Sequence, residues 1–238
     1  MNLLLLDDDD FATATRVSFG GRRAHHVRRI LRAAPGDTLS VGRIGGEIGT
    51  GTILSLDTDR CILEVRLDTP APTPLPATLV LALPRPPVLG RVLAATTSFG
   101  VKRIVLLHTR RVEKTYWQAR ALEPAALEEK LRLGLEQARD TLLPEIVIRR
   151  RFRAFVEDEL PHWLEGKHGV FAHPAASPDP IAGLETPAVV LVGPEGGLLD
   201  TEVDPLCQAG MRPISLGPRA LRVETAVAAL LGRVPSPG

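Results

Sequence analysis

Val189-Val190-Leu191-Val192-Gly193-Pro194-Glu195-Gly196-Gly197 and Ile214-Ser215-Leu216-Gly217-Pro218-Arg219-Ala220-Leu221-Arg222-Val223-Glu224-Thr225-Ala226 follow one plan. In each, a short aliphatic run stops at a Gly-Pro pair, because proline cannot donate to a ladder and glycine permits the turn. Helix-like sequence follows both. Two strand ends of this kind predict two bare backbone loops on the same edge of a sheet, where α/β proteins bind small ligands.

Upstream, strand-like and helix-like segments alternate. Thr78 to Leu83, Arg103 to Leu107, Glu145 to Ile148, Val170 to His173, Val189 to Val192 and Pro213 to Leu216 read as strands. Between and after them, Val88 to Phe99, Pro124 to Arg139, Phe155 to Leu164 and segments from about Asp200 and Val223 read as helices. Such alternation predicts an open parallel sheet covered on both faces. Thr69-Pro70-Ala71-Pro72-Thr73-Pro74-Leu75-Pro76 packs four prolines into eight residues, an extended linker rather than a paired strand. The expected organisation is therefore a domain over 1–70, a linker over 71–76 and a second domain over 77–238.

The first segment opens with an acid-free window from Phe11 to Gly36 that carries most of the local arginines. Read as a helix, Arg23 to Ala34 places Val27, Ile30, Leu31 and Ala34 on one buried stripe, with His25, Arg28, Arg29 and Arg32 opposite. Together with Arg22 and Arg23 they form a candidate phosphate-binding face. Pro35-Gly36-Asp37 ends the helix, and Thr38 to Val41, Ile48 to Leu56 and Cys61 to Leu67 read as a small β unit.

Composition removes several classes. The chain has 238 residues, a net charge of +1 and no run of eighteen apolar residues, so no membrane span is expected. The start, Met1-Asn2-Leu3-Leu4-Leu5-Leu6, is too short for a signal core and runs into Asp7 to Asp10, which points to a cytoplasmic protein. Cys61 and Cys207 lie outside any CxxC spacing and are expected to be core thiols; the six histidines form no HExxH, and no metal is expected. There is no GxGxxG, GxxxxGK[ST] or GxSxG, so dinucleotide, triphosphate and serine-nucleophile chemistries lack their parts.

The pair GPEGG (193–197) and LGPRALRVETA (216–226) resembles the RsmE family, SPOUT-type methyltransferases, with Ala220 and Val223 as departures from its usual wording. AHHVRRILRAAPGD (24–37) resembles the family's PUA-like RNA-binding segment. The match is weaker between Pro84 and Arg153, where Ala95 and Ser98 replace a Lys and a Glu and Arg139 and Asp140 replace a Gly-Arg; further on, Leu199 stands where a capping Ser or Thr is common and leaves Asp200 as the expected helix cap. The resemblance implies a trefoil-knotted parallel-sheet domain preceded by a small PUA-like β-barrel, working as a homodimer. It further implies S-adenosyl-L-methionine as cofactor and N3 of a uridine in small-subunit (16S) ribosomal RNA as target.

The resemblance assigns His173, Gly193, Pro194, Glu195, Gly196, Ile214, Leu216, Gly217 and Leu221 to the cofactor pocket, and Gly197 joins them as a residue whose bare backbone admits close approach. Methyl transfer from a sulfonium is mainly an orientation problem, needing no covalent catalyst. Uracil N3 attacks once its proton is lost, so an oriented donor is needed where negative charge develops on the base. Arg222 is the candidate, with Glu224 to orient it or take the proton and Thr225 to fix the loop; the plainer alternative is an Arg222–Glu224 pair at a helix start. Two other readings stay open: a related enzyme with another RNA target, and a non-catalytic RNA-binding or ribosome-assembly protein of the same fold.

Overall fold

A computed structural model describes residues 2–174, 176 and 183–236, which leaves out Met1 of the leucine-rich start. Contacts divide the chain into two units, Met1–Pro72 with Leu135–Leu143, and Thr73–Gly134 with Pro144–Gly238. The break falls in the proline-rich stretch, where residues 70–75 have no regular structure. Residues 135–143, read from sequence as part of the second domain, instead group with the first unit. There Leu135 and Leu143 pack with Leu3 and Leu5, and the Asn2 and Leu3 N–H groups donate to the Glu136 carbonyl.

The first unit is a five-stranded sheet of β1 (Leu4–Leu6), β2 (Arg16–Gly20), β3 (Thr38–Arg43), β4 (Ile48–Leu56) and β5 (Arg60–Thr69), in the order β1-β3-β4-β5-β2. Only the β1–β3 pair is parallel. The period of two is clear in β5, where Cys61, Leu63 and Val65 are buried and Glu64 and Arg66 exposed. Both faces of β1 are covered: Leu4 and Leu6 join Val17, Phe19, Val41 and Ile53 in the main core, while Leu5 joins the cluster around Leu135.

The helix expected over Arg23 to Ala34 is shorter and irregular. Its first turns, α1 (Gly21–His25), pass into a π-helical turn, His26–Ile30, and Arg32 lies beyond it at φ 54°. The i→i+5 bonds of a π turn widen the spiral, so a 3.6-residue stripe loses phase after Val27. Val27 is buried, but Ile30 is 64% and Leu31 44% exposed. Arg32, outside the helix, does not share a helical face with His25, Arg28 and Arg29.

Arg23 is taken up inside this unit. Its Nη1 and Nη2 donate to Asp10 Oδ2 and Oδ1 at 2.5 and 2.7 Å, Nη1 also donates to the Leu5 carbonyl at 3.0 Å, and the guanidinium lies 5.2 Å from the centre of the Phe19 ring. Asp10 is 8% exposed. Removing one partner of a buried, bidentate pair strands the other charge. Arg23→Ala should therefore cost about 3 kcal/mol in urea-induced unfolding, whereas a freely solvated arginine would give no measurable change.

The second unit is a six-stranded sheet. Along the chain come β6 (Ala77–Ala82), α2 (Pro86–Ser98), β7 (Arg103–Leu107), α3 (Pro124–Ala138), whose residues from Leu135 on group with the first unit, and β8 (Glu145–Arg149). A contiguous helical run follows: α4 (Phe152–Ala154), a π turn (Phe155–Glu159) and α5 (Leu160–Leu164). The series ends with β9 (His168–Ala172), β10 (Ala188–Val192), α6 (Asp200–Gln208), β11 (Arg212–Ile214) and α7 (Val223–Leu231). The strand order is β11-β9-β10-β6-β7-β8 and every pair is parallel. Every residue of β10 is buried, as a strand covered on both faces requires. One face packs Val80, Val105, Leu107, Val189 and Leu191 against Phe155 and Leu206.

Three local expectations change. β11 stops at Ile214, because the Gly217 N–H donates to Ser215 Oγ at 3.2 Å and the chain turns there. Asp200 is the first residue of α6 and not its cap; Leu199 holds the cap position and its N–H is met by Glu202 Oε2 at 2.9 Å. Cys61 is a core thiol, pushed up to about 11 by burial and by the charge of Asp57, but Cys207 is exposed. Among the described residues no helix is long and apolar enough to cross a membrane, and no group of His, Cys, Asp and Glu is placed to hold a metal ion.

Candidate functional site

β11, β9 and β10 are neighbours and parallel, so their carboxyl ends stand side by side. The chain leaving them forms a cavity of about 290 Å³. His173, Gly193, Pro194, Glu195 and Gly196 line it, as do Gly197, Leu216, Gly217 and Leu221. The two glycine loops therefore meet, as expected from their strand ends. Ile214 is the exception: it is buried beneath, and its carbonyl accepts the His173 N–H at 3.0 Å, which fixes where two of the loops begin.

The cavity has walls that the motif reading did not assign. Leu198, Arg219, Ala220, Val223 and Ala226 also line it. Val223 and Ala226 are three apart at the start of α7, a helical spacing that would have revealed them. Part of the lining is glycine backbone. Gly217 has φ +100°, and a Cβ there would meet no atom within 4 Å. At Gly196 a Cβ would come 3.1 Å from Arg111 Cδ, and Arg111 Nη1 donates to the Gly196 carbonyl.

Two carboxylates hold the 193–199 loop. Glu195 Oε1 accepts the Arg85 backbone N–H at 3.1 Å and its Nε at 3.4 Å, joining the loop to the start of α2. Glu202 is 5% exposed and bridges two backbones: Oε2 takes the Leu199 N–H at 2.9 Å and Oε1 the Arg110 N–H at 2.7 Å. No motif flagged Glu202, because its role depends on a loop 92 residues away in sequence. The turn itself closes with Gly197 N–H to the Pro194 carbonyl at 2.8 Å.

The three residues expected to act on the substrate stand beside the cavity and do not line it. Arg222 holds the cap position of α7 with φ −67° and ψ 154°, is exposed, and forms no ion pair among the described residues. Glu224 does not pair with it; Arg91 Nη2 on α2 donates to Glu224 Oε1 at 3.1 Å. The Glu224 backbone N–H, then Arg91 and then the charge of Arg222 hold its carboxyl below the usual range, so it is a weak proton acceptor at neutral pH. Thr225 is exposed on the same helical turn.

In the first unit, the candidate nucleic-acid face is partly committed elsewhere. Arg23 is half-buried and bonded to Asp10, and Arg22 Nη2 donates to Glu136 Oε1 at 3.0 Å. His25, Arg29 and Arg32 are exposed, and Arg28 is half-buried with its Nε unpartnered.

Replacing Glu202 with alanine would leave two part-buried backbone donors, the N–H groups of Arg110 and Leu199, without their acceptor. Chemical denaturation of Glu202→Ala should show a loss of about 1–2 kcal/mol, since water can reach part of what the carboxylate satisfied. An unchanged midpoint would mean that the bridge carries no load.

Residues 71–235 match the RNA methyltransferase domain family. Over 96% of its length the chain is 28% identical to ribosomal RNA small subunit methyltransferase E of Treponema pallidum, of which the match covers 88%. A Legionella pneumophila protein solved with the cofactor SAM bound superimposes with a TM-score of 0.75 at 22% identity, covering 98% of this chain and 96% of that one. Ribosomal RNA small subunit methyltransferase E from Neisseria gonorrhoeae, solved with S-adenosyl methionine, gives a TM-score of 0.74 at 21% identity, with 98% and 95% covered. The solved structures share the fold, and the sequence match over 71–235 makes this chain a member of the RNA methyltransferase domain family, of the RsmE type.

Proposed function

We propose that the protein is an S-adenosyl-L-methionine-dependent methyltransferase acting on N3 of a uridine in small-subunit (16S) ribosomal RNA. The observation that carries this reading is the meeting of the two glycine loops in one cavity at the carboxyl edge. The cavity suits the cofactor: Leu198, Leu216, Leu221 and Val223 offer apolar walls to a flat heterocycle, and the bare peptides of Gly196, Gly197 and Gly217 offer polar edges at short range. Bound there, the cofactor supplies a methyl group made electrophilic by its sulfonium.

The chain's own residues orient and stabilise. Glu195, through Arg85, and Glu202, through Leu199, hold the 193–199 loop in position before anything binds. Arg222 is an unpaired cation one residue from the cavity-lining Leu221 and Val223, a position suited to a uracil carbonyl on which charge builds as N3 attacks. Glu224 serves as an anchor of α7 through Arg91 rather than as the general base. Thr225 belongs to the same turn and is assigned to fixing it.

The same reading takes the first unit as PUA-like, with His25, Arg28, Arg29 and Arg32 on its RNA-facing side together with Arg22. It takes the second unit as knotted, supported by the return of α7 from the edge strand β11 to pack on α2 and β10. A homodimer follows from the resemblance, and sedimentation equilibrium should give twice the chain mass; a monomer at working concentration would remove it.

Arg222→Ala should leave cofactor affinity within about twofold while turnover on small-subunit RNA falls by about 100-fold or more, the scale of losing one oriented charge donor. Mass-spectrometric detection of N3-methyluridine reads the product directly. Normal turnover would exclude Arg222 from the chemistry, and a methylated base other than uracil would overturn the assignment of the target.

A further inference from the structure

β7 and β8 continue the same carboxyl edge on the far side of β6, with Leu107 opposite Arg149 and the His108 N–H donating to the Arg149 carbonyl at 2.8 Å. Two basic segments leave the sheet together here. Residues 149–153 read Arg-Arg-Arg-Phe-Arg, with no acid. Residues 108–123 carry Arg110, Arg111, Lys114 and Arg120 against Glu113 and Glu123. Arg110, Lys114, Arg120, Arg150, Arg151 and Arg153 are all exposed, and none forms an ion pair among the described residues. For a chain with net charge +1, this is a strong local excess of cations.

The patch is built rather than incidental. Trp117 Nε1 donates to His108 Nδ1 at 2.8 Å, and the Arg150 guanidinium lies 5.2 Å from the centre of a Trp117 ring, tying one segment to the other. Burial, and then Lys114, hold His108 below its ordinary pKa, which keeps the ring neutral and able to accept that bond at neutral pH. The band also adjoins the cavity loop: Glu202 fixes the Arg110 backbone, and Arg111 bonds the Gly196 carbonyl. Unpaired cations around an aromatic are the arrangement that tracks a sugar-phosphate strand, since phosphates give affinity without asking for sequence.

We infer that this band, Arg110 to Arg120 with Arg150 to Arg153, is a docking surface for the single-stranded RNA that flanks the target nucleotide. The inference rests on the proposed RNA-methylating function and adds to it a contact made by the second unit itself.

The test uses the full-length protein and a fluorescein-labelled twelve-nucleotide oligouridylate. Anisotropy titrations are run across a salt series for wild type and for Arg150→Ala/Arg151→Ala/Arg153→Ala. Each phosphate contact to a single strand contributes about 0.7 to the slope of log K against log salt, so the triple variant should lower the slope by about 2 and weaken binding by about tenfold. Arg151→Ala/Arg153→Ala leaves the Trp117 contact intact and should give about two-thirds of the slope change. Calorimetry with S-adenosyl-L-methionine runs in parallel, and the triple variant should match wild type. Unchanged oligouridylate binding and slope in both variants would overturn the docking surface, and so would loss confined to Arg28→Ala/Arg29→Ala/Arg32→Ala. Absence of cofactor binding by wild type would instead sink the functional reading on which the inference stands.

Discussion

Parallel pairing of β9 with β10 on one side and β11 on the other is the constraint on which the site depends. It sets three strand ends at one edge, and two of them, those of β10 and β11, give way to the glycine loops. Had either partner run antiparallel, one of the glycine loops would leave at the opposite edge. The buried, uniformly aliphatic β10 holds this arrangement, because a strand covered on both faces tolerates neither a register slip nor a polar replacement.

On that frame, backbone donors are matched by carboxylates at the points where the edge would otherwise be loose. Glu202 satisfies two N–H groups from separate loops, and Glu195 joins the GPEGG turn to α2. The arrangement spends charge on position, leaving Arg222 and the exposed cations beyond β7 and β8 without an ion pair among the described residues. In the first unit the pattern inverts, since Arg23 serves Asp10 and Arg22 serves Glu136. A cationic run in sequence therefore does not translate directly into a cationic surface; which arginines remain available depends on acids far along the chain.

Much of the second unit was legible in the sequence, because its strands are short aliphatic runs and its helices carry a 3.6-residue period. The glycine loops were legible for a related reason: Gly-Pro breaks mark strand ends, and consecutive parallel strands place those ends on one edge. Other features were hidden. The π turn at His26–Ile30 breaks the very period used to read it, leaving Ile30 and Leu31 exposed where a stripe was expected. Residues 135–143 pack with the leucines of β1, a long-range contact that local pattern does not encode. The band around Trp117 escaped notice because its two segments lie far apart in sequence and join only where β7 pairs with β8.

Equilibrium binding of S-adenosyl-L-methionine to the wild-type chain and to Gly217→Val tests the central claim most directly. Gly217 lines the cavity at a φ that L side chains avoid, so valine would both disturb the turn and intrude on the space. The account predicts saturable binding by wild type at one site per chain and its loss in the variant, with the fold retained by circular dichroism. No binding by wild type, or equal affinity in both proteins, would contradict it.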